Sequence, residues 1–191
     1  MLKTLLVYSH LLATCIALGT LLQADHKLWR WRRERLDEPR RAQLGEVQRV
    51  VSVALLGLWI TGLALVVQGY LDAGMDYLLN QKLWAKASVV VLLTLNGVLL
   101  HRIGFPLLHQ AAFVALPDAA RLRLGLLGAL SMSAWLFAAF LGVARPWNHV
   151  MPYLHIMGAF AGLLALAAST ACVVVRTLAV ARRDGAAADS C

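Results

Sequence analysis

Residues 4–24 read TLLVYSHLLATCIALGTLLQA, 21 positions without a lysine, arginine, aspartate or glutamate. A helix rises about 1.5 Å per residue and needs roughly 20 apolar residues to cross the ~30 Å hydrocarbon core of a bilayer, so this stretch is long enough to span. It is longer than the ~7–15-residue core of a secretory signal and runs into a dense basic block, which reads as a true span. The same count succeeds at Val50–Leu71 (22 residues), Leu124–Ala144 (21) and Pro146–Val175 (30). A fifth stretch, Leu83–His101, is interrupted only by Lys86. Lys86 and Arg102 bracket about 24 Å of helix, less than the core thickness, so Lys86 must snorkel or face protein.

The rest of the composition agrees. Of 191 residues 60% are hydrophobic and only 15% charged, more apolar than an ordinary soluble domain and the opposite of a disordered chain. Three cysteines without paired spacing exclude a disulfide scaffold. The expected fold is an all-α integral membrane bundle of five transmembrane helices, with spans at about 4–24, 50–71, 83–102, 124–145 and 152–176. They form a single domain over 1–183, followed by a short tail, 184–191, that ends in the thiol of Cys191. The connections Asp25–Arg49 and Arg102–Arg123 carry Pro39, Pro106 and Pro117 and read as helix extensions or interfacial turns.

The net charge is +8, but its placement matters more than its size. Fourteen of the 18 basic residues fall in the first connection, the third connection and the C-terminal end, whereas Lys3, Lys82, Lys86 and Arg145 lie on the other side. The positive-inside rule then predicts a periplasmic N-terminus and a cytoplasmic C-terminus in a bacterial inner membrane. Trp29 and Trp31 mark one interface; Tyr70, Tyr77, Trp84, Trp147 and Tyr153 mark the other. Topology accounts for the charge without a nucleic-acid partner, and the basic first connection suits anionic headgroups of the surrounding lipid.

Helices in lipid pack through small and mildly polar residues. Stripes of that kind run along the first span (His10, Ala13, Ala17), the second (Gly57, Thr61, Ala64, Gln68), the fourth (Ser131, Ala134, Ala138, Gly142, Arg145) and the fifth (His155, Gly158, Gly162, Ala165, Ser169, Cys172). On the third, Lys86, Leu93 and Gly97 share a face. Each stripe is expected to face the bundle or a partner, with the Gly158/Gly162 face as the candidate surface for a homo-oligomer or partner subunit. Gln68, Lys86, Arg145 and His155 cluster near one membrane surface, and His10 lies roughly 12 Å below Leu2. Ionisable groups inside a membrane are costly and usually functional.

Neutral imidazole at that depth suits haem iron, copper or a proton relay. A porphyrin needs an apolar slot between helices, an axial histidine and cations near water for its propionates. His10 and His155 are the candidate ligands, and Lys86 and Arg145 the candidate propionate partners. Copper competes, because residues 147–157 read WNHVMPYLHIM and offer His149, Met151, His155 and Met157. His26, His101 and His109 belong to the other side, and Cys15 and Cys172 read as inert. No nucleophile elbow, phosphate loop, CxxC or zinc-helix motif occurs, so hydrolase and NTPase chemistry has no residue support.

With His10 in the first span, an arginine-rich connection, the segment Gly57-Leu58-Trp59-Ile60-Thr61-Gly62 in the second span and Leu83-Trp84-Ala85-Lys86 opening the third, the chain resembles a known superfamily. This is the group of HemJ-type protoporphyrinogen oxidases and CopD-type copper-resistance membrane domains, and the likeness covers roughly residues 5–145. It implies haem b, with His10 and Lys86 as the functional positions carried over. The segment 96–107, NGVLLHRIGFPL, is more similar to the CopD-type relatives. The expectation is therefore a haem b or copper protein serving redox chemistry or haem and metal handling. A cofactor-free carrier for a small anion or metal, and a structural subunit of a larger complex, stand beside it.

Overall fold

A computed structural model of the chain describes residues 1–188, with side chains through Leu178; Cys191 and the end of the expected tail lie outside the described residues. The fold is all-α. Its helices are α1 (Leu2–Trp31), α2 (Glu38–Ala73), the short α3 (Met75–Leu78), α4 (Gln81–Leu99), α5 (Phe105–Gln110), α6 (Asp118–Val143) and α7 (Tyr153–Ala188). Five segments are long and apolar enough to cross a membrane: Leu2–Trp31, Glu38–Ala73, Gln81–Gln110, Asp118–Val143 and Tyr153–Leu178. The protein is a multi-pass membrane protein.

Local chemistry sets the ends. Asp37 caps α2 by accepting the backbone N–H of Arg40 at 3.1 Å, and Pro39 occupies the first turn, where its missing N–H costs nothing. Much of the first connection is thereby helical, as an extension of α2. Gly74 ends α2 at φ +63°, a left-handed conformation that favours glycine, and its N–H bonds Tyr70 O at 2.7 Å. Asn80 caps α4 through Lys82 N at 3.1 Å. The third span passes from α4 into α5 through a π turn, Leu100–Gly104. Pro106 follows directly; it has no N–H to donate and crowds the carbonyl four residues back, and the widened turn absorbs both effects.

Neighbouring spans run antiparallel. We call the end that carries the α1–α2 and α5–α6 links the basic end. There Val114 N bonds Arg32 O at 3.1 Å, Arg41 bonds Leu36 O at 3.0 Å and His109 O at 3.3 Å, and Arg121, only 1% exposed, reaches Val114 O and Asp118. These arginines fasten the links as well as contributing to the charge asymmetry. At the opposite end Lys3 pairs with Asp72 at 3.0 Å.

α1 packs along α2, α4 along α6, and α6 along α7. The core is narrow: Ala17, Ala85 and Ala134 are fully buried where helices approach, with Val89, Leu93, Trp135, Phe137, Leu141, Ile156 and Phe160 around them. Leu, Val and Ile cover the outside, including Leu63, Val91, Leu154 and Leu166, as lipid contact requires. The α7 stripe faces away from the bundle, on the side where a partner is expected. α7 turns Ile156 and Phe160 inward, with Phe160 against Phe137 at 5.3 Å between ring centroids, while His155, Gly158 and Gly162 are exposed. Bulky interdigitation holds α7 to the bundle here, and nearer the basic end Ala171 and Val175 pack beside Gly125 of α6, each 3.6 Å from where a side chain there would begin.

Gly69 and Gly97 give a test of packing. The Tyr77 ring occupies the space a side chain at Gly69 would need, whereas nothing lies within 4 Å of one at Gly97. Gly69→Ala should lower stability by about 1–3 kcal/mol. Gly97→Ala should leave it unchanged or raise it by up to ~1 kcal/mol through helix propensity. Thermal unfolding of the two variants in the same detergent checks the contrast.

Candidate functional site

The site begins on α1. His10 is half-buried and faces α2, where its Nδ1 lies 2.8 Å from Thr61 Oγ1. Thr61 sits there because its hydroxyl also lies 2.7 Å from Gly57 O, one turn back on its own helix. Thr14 Oγ1 donates to His10 O at 2.8 Å, which braces the α1 backbone at this level. Gly62 flanks the ring: a side chain there would begin 3.5 Å from His10 Cε1. Among the described residues nothing hydrogen-bonds Nε2.

α4 contributes two lysines one turn apart with different surroundings. Lys82 is 7% exposed and fully engaged, donating to Ala144 O at 2.6 Å and Asn148 Oδ1 at 3.1 Å. It thus caps the C-terminal end of α6, whose last carbonyls have no helical partner. Lys86 is half-buried, its ammonium against α6, 4.0 Å from where a side chain at Gly142 would begin. No carboxylate among the described residues pairs with Lys86.

The α6–α7 link is held by the start of α4. Gln81 Oε1 accepts Tyr153 N at 2.6 Å, Asn80 Oδ1 accepts His149 N at 3.4 Å, and Ser88 Oγ and Tyr153 Oη are 3.0 Å apart. Arg145 is exposed at this end, also without a carboxylate partner among the described residues.

Of the four residues expected to converge, His10 and Lys86 lie in the half of the bundle opposite the basic end, His10 against Thr61 of α2 and Lys86 beside Gly142 of α6. Arg145 lies on the rim, and His155 lies on the outward face of α7, a helix packed on α6 and α4, while His10 faces α2. His155 therefore does not face His10 across the bundle. The 147–157 segment also divides: Met151 and Met157 pack against the core, whereas His149 and His155 are exposed. Among the described residues no three His, Cys, Asp or Glu side chains gather within reach of one metal ion. The residues that sequence reading passed over are Lys82, which it listed only as a charge, and Asn96 and Ser88. Asn96 is 1% exposed and donates Nδ2 to Leu127 O at 3.0 Å.

No family model matches this chain, no curated protein matches its sequence, and no solved structure matches its fold. What the geometry defines is a five-span membrane bundle with an imidazole and an unpaired ammonium near one end.

The two lysines give opposite expectations. Lys82→Met removes a charge-assisted cap and leaves Ala144 O with Trp147 N alone, and should cost about 1–3 kcal/mol. Lys86→Met removes a cation that has no anion, and should raise stability by on the order of 1 kcal/mol. Paired thermal denaturation curves in detergent report both signs.

Proposed function

We propose that this protein binds haem b in the half of the bundle opposite the basic end and serves redox chemistry or haem handling in a bacterial inner membrane. The observation that carries the reading is an imidazole on α1 with one nitrogen free of hydrogen bonds, in the same half of the bundle as the Lys86 ammonium of α4, which pairs with no carboxylate among the described residues. This donor set fits the group: haem offers an iron that takes imidazole and carboxylates that take cations. His10 would hold the iron and Lys86 a propionate, with Arg145 at the rim where a second carboxylate would meet water. Bound haem supplies one-electron exchange at its iron. His155 has no part in this reading, because it lies on the outward face of α7.

Haem is favoured over copper because the His and Met side chains of 147–157 divide between the outer surface and the core. Copper remains the alternative metal at His10. A second reading, a cofactor-free carrier for a small anion, is favoured by the same unpaired Lys86 ammonium. Under that reading Lys86 attracts the anion and His10 relays a proton.

Absorption spectra of the detergent-purified protein, oxidised and reduced, decide between them. The expected result is a Soret band that His10→Ala abolishes, Lys86→Ala weakens, and His155→Ala and His101→Ala leave intact. Absence of both a Soret band and stoichiometric copper would overturn the proposal, and Lys86-dependent anion uptake into liposomes would then establish the carrier.

A further inference from the structure

A neutral imidazole carries one N–H and one lone pair, and which nitrogen has which decides what the ring can bind. The geometry around Thr61 settles this for His10. Thr61 Oγ1 lies 2.7 Å from Gly57 O and 2.8 Å from His10 Nδ1, and it has a single proton for the two contacts. A carbonyl oxygen cannot donate. Two oxygens 2.7 Å apart with no proton between them would repel, so the hydroxyl proton goes to Gly57 O. The remaining contact then requires Nδ1 to be the donor and Thr61 Oγ1 the acceptor.

A second pair in the same bundle shows this arrangement with no ambiguity. Trp59 Nε1 can only donate, and it meets Thr94 Oγ1 at 3.1 Å while that hydroxyl bonds Val90 O at 2.8 Å. In both pairs a threonine inside one helix spends its proton on the carbonyl four residues back, and presents a lone pair to an N–H from the neighbouring span.

We infer that Thr61 is a positioning residue that fixes the proton of His10 on Nδ1 and leaves the Nε2 lone pair open to a metal centre. The metal in this inference is the one of the preceding reading, but the tautomer belongs to the protein itself and is measurable without any metal.

The test uses full-length protein, labelled with ¹⁵N-histidine and held in detergent without haem at about pH 8, above the ordinary histidine range. Long-range ¹H–¹⁵N correlation identifies the protonated nitrogen of each ring, and the His10 signals are those missing from His10→Gln. The expected result is Nδ1–H in the native protein and in Thr61→Ser, with loss of that tautomer in the near-isosteric Thr61→Val. In parallel, haem titration should show Thr61→Val binding about 10–100-fold more weakly, with Thr61→Ser close to native. An Nε2–H tautomer in the native protein, or the same tautomer in Thr61→Val as in the native protein, overturns the inference. If the protein takes up no haem while the tautomer follows Thr61, the haem reading fails and the positioning role stands. If haem loads through His10 and Thr61→Val changes neither tautomer nor affinity, the positioning role fails alone.

Discussion

The hydrocarbon core of a bilayer offers no partner to a polar group, and this protein is organised around that deficit. Its backbone is satisfied within helices, and so, first of all, are its hydroxyls. Thr14, Thr61, Thr94 and Thr170 each bond the carbonyl four residues back on their own helix. A threonine so arranged has spent its proton and keeps a lone pair. A neighbouring span can then bond such a hydroxyl by bringing a donor to it, as Trp59 does to Thr94. His10 and Thr61 belong to the same pattern, which makes the orientation of the imidazole a consequence of how helices tolerate hydroxyls in lipid.

Departures from satisfaction are few and informative. Among the described residues, Arg32 Nε and Arg121 Nε at the basic end, and Gln68 Oε1 and Asn96 Oδ1 within the spans, are buried without a partner, and Lys86 has no carboxylate. Gln68 and Lys86 belong to spans whose stripes lead toward the end of the bundle that carries His10. Folded proteins break local rules mainly where function requires it. Lys86 is the costliest of these departures, since it concerns a whole charge and not one donor or lone pair.

The fold was legible because counting uncharged residues is counting the cost of desolvating charge, and that cost is the same wherever a helix meets lipid. The inward faces of α1 and α2 were legible too, since His10, Ala17, Gly57 and Thr61 obey the small-and-polar rule. On α7 the rule does not find the side that faces the bundle, because the stripe of His155, Gly158 and Gly162 is exposed. α7 docks through Ile156 and Phe160, which a hydropathy pattern does not distinguish from lipid-facing Leu154 or Leu166. Thr61 and Lys82 were hidden for another reason. Their significance lies in partners 51 and 62 positions away, and a single sequence contains no signal for pairing across helices.

Lys82 and Lys86 show how one helix face provides both structure and reactivity. They are four residues apart, so their side chains leave α4 in nearly the same direction. Lys82 meets the residue that ends α6, and donates to Ala144 O and to Asn148 Oδ1 in the link beyond it. Lys86 meets the last turn of α6 beside Gly142, where no side chain stands opposite it. Among the described residues it finds no carboxylate. The difference between an anchored cation and an available one thus comes from what the α6–α7 link presents to each lysine: Asn148 reaches Lys82, and glycine leaves Lys86 without a partner.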